Sequence, residues 1–375
     1  MKVLFIFGTR PEAIKLCPII RHMKSLPEYF DVRICATAQH RDILDQVLRA
    51  FEVKPDWDLD IMRAGQTLFQ STSRIISALE PIFAKAQPDI AFVQGDTTTT
   101  MCGALAAFYA RVPVGHVEAG LRTGDIHEPF PEEINRVLTG RIASLHFAAT
   151  SGAAQNLYVE GVDPSTVQVT GNTGIDAVLH IKQALEAGAL PGLQQFRPNP
   201  AKKLIVVTAH RRESFGVGFD RICRAVARLA QRDDVEIIYP VHPNPNVRRA
   251  VDKYLRDRQN IVLLDPMDYV PFVDLMCKAY LLLTDSGGIQ EEGPSLGKPV
   301  LVLRDKTERP EAVAAGTARL VGTDEHRIVT ETERLLDSAA TYKSMAHSYN
   351  PYGNGSASQQ IASFLIERGT EFLLN

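Results

Sequence analysis

No stretch of this chain is apolar for long enough to suggest a membrane span, and the short apolar start MKVLFIFGTRPEA turns charged too soon for a signal peptide. No membrane association is expected, and the cytoplasm is the expected compartment. Cysteine is sparse: Cys17, Cys35, Cys102, Cys223 and Cys277 sit singly, with no CxxC pair and no His-rich tract. That excludes a disulfide framework and leaves reduced core thiols as the expected state. Charge of either sign is also not in excess, with 41 Lys and Arg against 44 Asp and Glu. A formal charge of -3 argues against a broad nucleic-acid surface, though a local basic pocket stays open. No GxGxxG follows the first apolar run, which weighs against the usual dinucleotide fingerprint. GxSxG is missing and Ser286 has no evident base, so triad hydrolysis is disfavoured. His, Asp and Glu never fall in a recognised ligand spacing, so no metal is expected.

What is present is a rhythm. The 375 residues are too many for one ordinary core and suit two domains. Val3–Phe7, Ile34–Thr37, Ile90–Val93, Val114–Val117 and Leu145–Ala148 read as buried strands, with helical patterns near 41–49, 67–85, 98–110 and 132–142. Pro11 suits the first turn of a helix that follows the first strand. Small, polar and proline residues over 186–203 interrupt the alternation and read as a linker. Strands then resume at Leu204–Thr208, Val235–Pro240, Ile261–Leu264, Tyr280–Thr284 and Val300–Leu303, and a last helix follows at about 357–368. Strand-then-helix alternation predicts α/β domains with parallel sheets covered on both faces.

Polar residues concentrate where strands meet helices, the edge at which open α/β sheets usually bind ligands. Ser286-Gly287-Gly288 follows an apolar run, and small residues there let backbone N–H groups approach an anion at a helix start. A tight turn that binds nothing is the plainer alternative. Glu291 or Glu292, about one turn on, can accept two ribose hydroxyls or merely face solvent. Arg10 at the first strand's end can neutralise phosphate or pair with Glu12, and Lys15 can line the same corner or be exposed. Asp96 can cap the next helix. A neighbouring crossover would instead bring it beside Glu118, and two carboxylates near one substrate can divide acid and base duty. Glu132 and Arg136 have i,i+4 spacing, which fits a plain ion pair or a base positioned by its partner. His210, followed by Arg211 and Arg212, ends the first strand of the second unit, where it can bind phosphate, assist a leaving group or donate to a carboxylate. His242 lies in a proline-bounded loop, and Arg309 with Glu311 in another charged strand-end loop.

Eleven ordered stretches, FGTRPEAIK, TAQHRDILDQVL, GDTTTT, GHVEAGLRT, PFPEEINR, GNTGIDA, TAHRRES, YPVHPNP, TDSGGIQEE, VLRDKTERPE and NPYGNG, resemble the non-hydrolysing UDP-N-acetylglucosamine 2-epimerases from residue 3 to about 364. The resemblance implies a glycosyltransferase-B-like architecture of two Rossmann-like domains facing a cleft. Residues 1–185 would form the first, joined by a terminal helix at 356–375, and residues 186–355 the UDP-binding second. It also implies a homodimer that needs neither nicotinamide nor metal and interconverts UDP-N-acetylglucosamine and UDP-N-acetylmannosamine. Matched residue by residue, the family's important carboxylates fall on Asp96, Glu118 and Glu132 and its essential histidine on His210. Arg10, Lys15 and Arg136 match cleft positions, as Arg309 is expected to, Ser286 and Gly287, with Gly288 beside them, the diphosphate turn, and Glu292 the ribose glutamate. Contacts to an activating second substrate molecule would fall on Gln39, Arg211 and His242. Several bacterial members have arginine before the Gln-Thr where this chain has Gly65.

The chemistry asks for such an ensemble. C2 of the sugar is not beside a carbonyl, so its proton is too weakly acidic for simple abstraction. Elimination solves this: a carboxylate takes the C2 proton as UDP leaves C1, giving a 2-acetamidoglucal. Re-addition of UDP with protonation from the other face inverts C2, and two faces call for two proton-handling groups. A glycosyltransferase of similar fold, a UDP-sugar sensor and a hydrolytic relative are the competing readings.

Overall fold

The computed structural model describes residues 1–37, 41–61, 65–194 and 196–373. They form two compact units, Met1–Ala177 with Tyr352–Asn375, and Val178–Pro351. Among the described residues, the first unit holds strands β1 (Lys2–Phe7), β2 (Asp31–Ala36), β3 (Trp57–Asp58), β4 (Ile90–Gln94), β5 (Val114–Ala119), β6 (Leu145–Ala148) and β7 (Val167–Val169). Between them lie α1 (Arg10–Lys24), α2 (Arg41–Ala50), α3 (Leu68–Ala86), α4 (Thr98–Tyr109), α5 (Glu132–Ile142) and α6 (Ser151–Val159), and α7 (Thr173–Glu186) carries the chain into the second unit. There β8 (Lys203–Thr208), β9 (Val235–Pro240), β10 (Ile261–Leu264), β11 (Leu281–Thr284), β12 (Val300–Val302) and β13 (Ala318–Leu320) alternate with α8 (Val217–Leu229), α9 (Pro245–Tyr254), α10 (Tyr269–Lys278), α11 (Gly287–Ser295) and α12 (Pro310–Ala314). Helices α13 (Glu325–Asp337) and α14 (Ala339–Ala346) close that unit, and α15 (Ala357–Leu373) belongs to the first.

Both sheets are parallel throughout, and both follow one winding. The first runs β3-β2-β1-β4-β5-β6-β7 and the second β10-β9-β8-β11-β12-β13. Each is therefore Rossmann-like, with strand order reversing beside its first strand. The central strands are buried on both faces, as Val3–Phe7 and Leu281–Leu283 illustrate, which is why unbroken apolar runs marked them in the sequence. Phe5 and Phe92 pack across the first sheet at 5.1 Å, and Phe219 and Ile222 of α8 join Ile205, Val207, Leu281 and Leu283 in the second core. Three strands were not anticipated: β3, β7 and β13. All lie at sheet edges, have only two or three residues and are not buried throughout, so no apolar run announces them.

Helix α1 begins with Arg10, one residue before Pro11. Thr9 caps it, and the Glu12 carboxylate accepts from the N–H groups of Thr9 at 2.6 Å and Gly8 at 3.1 Å. The same buried carboxylate accepts the hydroxyls of Thr97 at 2.7 Å and Thr100 at 3.1 Å, tying the starts of α1 and α4 together. Gly8 lies inside this junction. A Cβ there would fall 2.3 Å from Thr37 Oγ1 and 2.6 Å from Thr99 Oγ1, two hydroxyls that already bond each other at 3.2 Å. Gly8→Ala is therefore expected to cost ~1–3 kcal/mol by overpacking, read as a fall in the denaturation midpoint. Helix α15 packs on α1 and is pinned by Asp176, whose carboxylate accepts the N–H groups of Ala357 at 3.3 Å and Ser358 at 2.8 Å.

Candidate active site

In the first unit the strand order reverses between β1 and β4, and the carboxyl ends of those strands deliver Arg10 and Asp96. Arg10 is exposed at the first position of α1. Its expected local rival, Glu12, is turned inward into the cap just described, and no ion pair of Arg10 is formed among the described residues.

Asp96 does not cap α4. Thr97 does, its hydroxyl accepting from the Thr100 N–H at 3.1 Å, which leaves the Asp96 carboxylate to Arg136 Nη2 at 2.8 Å. The peptide around Asp96 is held as well. Asn135 Nδ2 donates to the Asp96 carbonyl at 2.9 Å, and His116 Nε2 meets the Gly95 carbonyl at 2.7 Å. A carbonyl only accepts, so His116 carries its proton on Nε2, and burial depresses its pKa to about 3 and keeps it neutral. Although Asp96 keeps a partly open edge, loss of water around it raises its pKa from the ordinary 3.8 to about 6. Arg136 and Lys15 oppose that rise, while the neighbouring Glu118 and Glu132 add to it.

Glu118 comes from the adjacent strand, since β4 pairs with β5. Its φ of +63° is rare for a residue with a Cβ, and the pairing of β5 with β6 shifts register between Val117 and Ala119. This irregularity at the strand end turns the carboxylate among donors: Lys15 Nζ, Gln94 Nε2 and, at 3.2 Å, Asn172 Nδ2. Lys15 is thus no solvated helix residue but the cation of a largely buried pair. Such backbone strain concentrates where a side chain must be aimed.

The i,i+4 pair expected between Glu132 and Arg136 is not formed among the described residues. Arg136 is buried between Asp96 and, at 3.4 Å, Glu133, an i,i+3 neighbour. Glu133 also accepts the N–H groups of Thr123 at 3.0 Å and Gly124 at 3.1 Å, shaping the loop before α5. A cross-element carboxylate and a buried neighbour outbid the half-exposed Glu132, which stands at the first position of α5, close enough to act on Asp96.

In the second unit the order reverses between β8 and β11, which deliver His210 and Ser286. Asp285, between β11 and Ser286, is fully buried and accepts the backbone N–H groups of His210 at 2.6 Å and Arg211 at 2.7 Å. The His210 ring stacks on His242 with centroids 5.1 Å apart and planes 8° from parallel. Burial lowers the His210 pKa, Asp285 raises it, and His242 and Arg211 lower it further.

Ser286 is the N-cap position of α11, but its hydroxyl makes no cap bond, and its N–H is taken by Thr284 Oγ1 at 3.0 Å. Gly287 and Gly288 open the helix, and the first N–H groups of an α-helix have no acceptor within it. Arg309, the residue before α12, pairs with the buried Glu291 and spans the start of α11. Glu292 is half-buried on the next position. Gln39 lies outside the described residues. Sequence reasoning passed over Gln94, Asn135, Asn172 and Asp285. Each lies in a polar stretch already singled out, Asn135 within α5 and the others at strand ends or the loops after them, and only the packing of the elements reveals what each one holds.

A model of the family described as UDP-N-acetylglucosamine 2-epimerase matches residues 24–366. The UDP-N-acetylglucosamine 2-epimerase of Escherichia coli K12 is 55% identical over 370 residues, spanning 97% of this chain and 98% of that protein. That of Bacillus subtilis is 49% identical over 368 residues, spanning 98% and 95%. The crystal structure of the Neisseria meningitidis UDP-GlcNAc 2-epimerase bound to UDP-GlcNAc superposes with a TM-score of 0.88 at 46% identity, covering 98% of this chain and all of the other.

Proposed function

Because this chain belongs to the UDP-N-acetylglucosamine 2-epimerase family, we propose that it interconverts UDP-N-acetylglucosamine and UDP-N-acetylmannosamine by eliminating UDP and adding it back. The observation that carries the reading is the unequal preparation of two neighbouring carboxylates. Glu118 is paired with Lys15 and accepts from Gln94 and Asn172, whereas burial raises the Asp96 pKa to about 6. Two carboxylates in such different surroundings suit removal of the C2 proton from one face and its delivery to the other.

In this scheme Asp96, Glu118 and Glu132 are the catalytic carboxylates, and Arg136 steadies Asp96. As the C2–H bond breaks, its electrons form the C1–C2 double bond and the C1–O bond electrons leave with UDP. The diphosphate, gaining charge, is received by Arg10, His210, the N–H groups of Gly287 and Gly288 and the Ser286 hydroxyl. Glu292 takes the ribose hydroxyls, and Arg309 backs the turn. The return step forms C1–O again while C2 accepts a proton from the opposite face. Arg211 and His242, with Gln39, are the proposed contacts of a second UDP-N-acetylglucosamine. Assembly as a homodimer and residence in the cytoplasm belong to the same proposal, and sedimentation of the purified chain tests the first.

The deciding experiment incubates the protein with UDP-N-acetylglucosamine and a chelator in heavy water and follows the sugar by proton NMR. Expected are UDP-N-acetylmannosamine signals and loss of the C2 proton signal from both nucleotide sugars. An inverted product that retains its C2 proton would overturn the elimination route. Free N-acetylmannosamine with UDP would make the chain hydrolytic, and an unaltered substrate would point to transfer or sensing.

A further inference from the structure

We propose that Asp285 is a positioning residue for His210, taking the Nδ1 proton of the imidazole so that Nε2 is the nitrogen offered to the substrate. The proposal deepens the epimerase reading, in which His210 meets the departing UDP, and rests on that reading for its consequence but not for its geometry.

Strand pairing puts the two residues together. β11 lies beside β8, and the Asp285 N–H bonds the Thr208 carbonyl at 3.1 Å, so its side chain meets the turn that opens at Ala209. One carboxylate oxygen, Oδ2, is taken by the N–H groups of His210 and Arg211. Those two bonds fix the plane of the carboxylate and hold Oδ1 3.6 Å from His210 Nδ1. Oδ1 is buried and has no hydrogen-bond partner among the described residues. A buried carboxylate oxygen without a donor is costly, and the imidazole edge facing it supplies one after a shift of about 1 Å.

The ring is otherwise restrained. His242 lies parallel against one face, which fixes the ring plane and leaves a flip about its axis as the remaining freedom. Asp285 decides that flip, because an anionic oxygen accepts from Nδ1–H and repels a bare Nδ1 lone pair. The groups facing the ring are Asp285 from the end of β11, His242 from the loop after β9 and Arg211 from its own turn. The Tyr239 hydroxyl, from β9, is committed to the Ala209 carbonyl at 2.6 Å. Among these, Asp285 favours the imidazolium, whereas His242 and Arg211 oppose it. The His210 side chain is 39% exposed, which leaves the ring within reach of a ligand. Aspartate in this relation to a histidine fixes both tautomer and orientation.

The test is Asp285→Asn. Asparagine keeps a carbonyl oxygen for the two backbone N–H groups but presents either no charge or an N–H donor toward Nδ1. A purely structural Asp285 would therefore tolerate it. Expected are a kcat lowered ~100-fold or more, a KM for UDP-N-acetylglucosamine within about threefold, and a thermal midpoint within a few degrees of the parent. The limb of the kcat–pH profile carried by His210 is expected to move to lower pH, because the one group favouring its cation has lost its charge. A kcat within twofold of the parent, with the profile unmoved, would overturn the proposal. Nitrogen-15 NMR of the unmodified chain, assigned with His210→Asn, decides independently of folding or turnover in the variant. The proton is expected on Nδ1 of neutral His210, and a proton found on Nε2 alone would overturn the proposal whether or not the chain proves to be an epimerase.

Discussion

Asp96→Asn is expected to lower kcat by roughly 10²–10⁴, the usual worth of a general acid or base, and to slow C2 exchange with heavy water in proportion. The change is nearly isosteric. The bond from Asn135 goes to the backbone carbonyl and survives, and the new amide oxygen can still accept from Arg136. What is lost is the ability to gain and release a proton, so KM should move little. A pH signature accompanies the loss. The Asp96 pKa rises from 3.8 in the unfolded chain to about 6 in the folded one. Between those values the folded state binds the proton more tightly, so stability from this group is fully present below about pH 4 and is lost as pH rises toward 6. The midpoint of the parent minus that of the variant should therefore fall across that window. A flat difference, or a kcat within threefold of the parent, would remove Asp96 from the chemistry.

The same residues show what a sequence discloses and what it withholds. Central strands such as Lys2–Phe7 and Leu281–Thr284 are visible because burial on both faces demands unbroken apolar residues, and the polar residues at their ends mark the binding edge. The edge strands β3, β7 and β13, only two or three residues long, carry no such run and were invisible, whereas the four-residue apolar edge strand β10 was read. Asp96, Glu118 and His210 are legible as candidates from residue type and place. Their properties are not, because each depends on partners brought in by register. Lys15 reaches Glu118 across 103 positions of sequence, and Asp285 reaches His210 across 75. Local spacing even misdirects: Glu132 and Arg136 are four apart on a helix, yet the buried arginine pairs with Asp96 and Glu133. The left-handed backbone at Glu118 likewise cannot be inferred from a residue type that seldom adopts it.

Gly287→Ala is expected to weaken UDP binding ~10–100-fold while leaving the protein as stable as before or slightly more so. The two glycines of the turn are not required by the fold. Neither has a left-handed φ. A Cβ on Gly287 would meet nothing nearer than the Arg309 guanidinium at 3.8 Å, and one on Gly288 nothing nearer than Glu292 Oε1 at 3.9 Å. Those are ordinary contacts, and alanine in place of glycine in a helix gains up to about 1 kcal/mol through the unfolded chain. A turn that bound nothing would therefore accept alanine without penalty. If the diphosphate instead lies against the N–H groups at the start of α11, the added methyl group occupies the space in which those oxygens approach. Gly8→Ala supplies the contrast: there the Cβ strikes Thr37 and Thr99, and stability itself must fall. One substitution at two strand-end glycines thus separates a residue kept small for packing from one kept small for a ligand. Calorimetric titration with UDP, run beside thermal melts, reads both quantities. Undiminished UDP affinity in Gly287→Ala would move the diphosphate away from this turn.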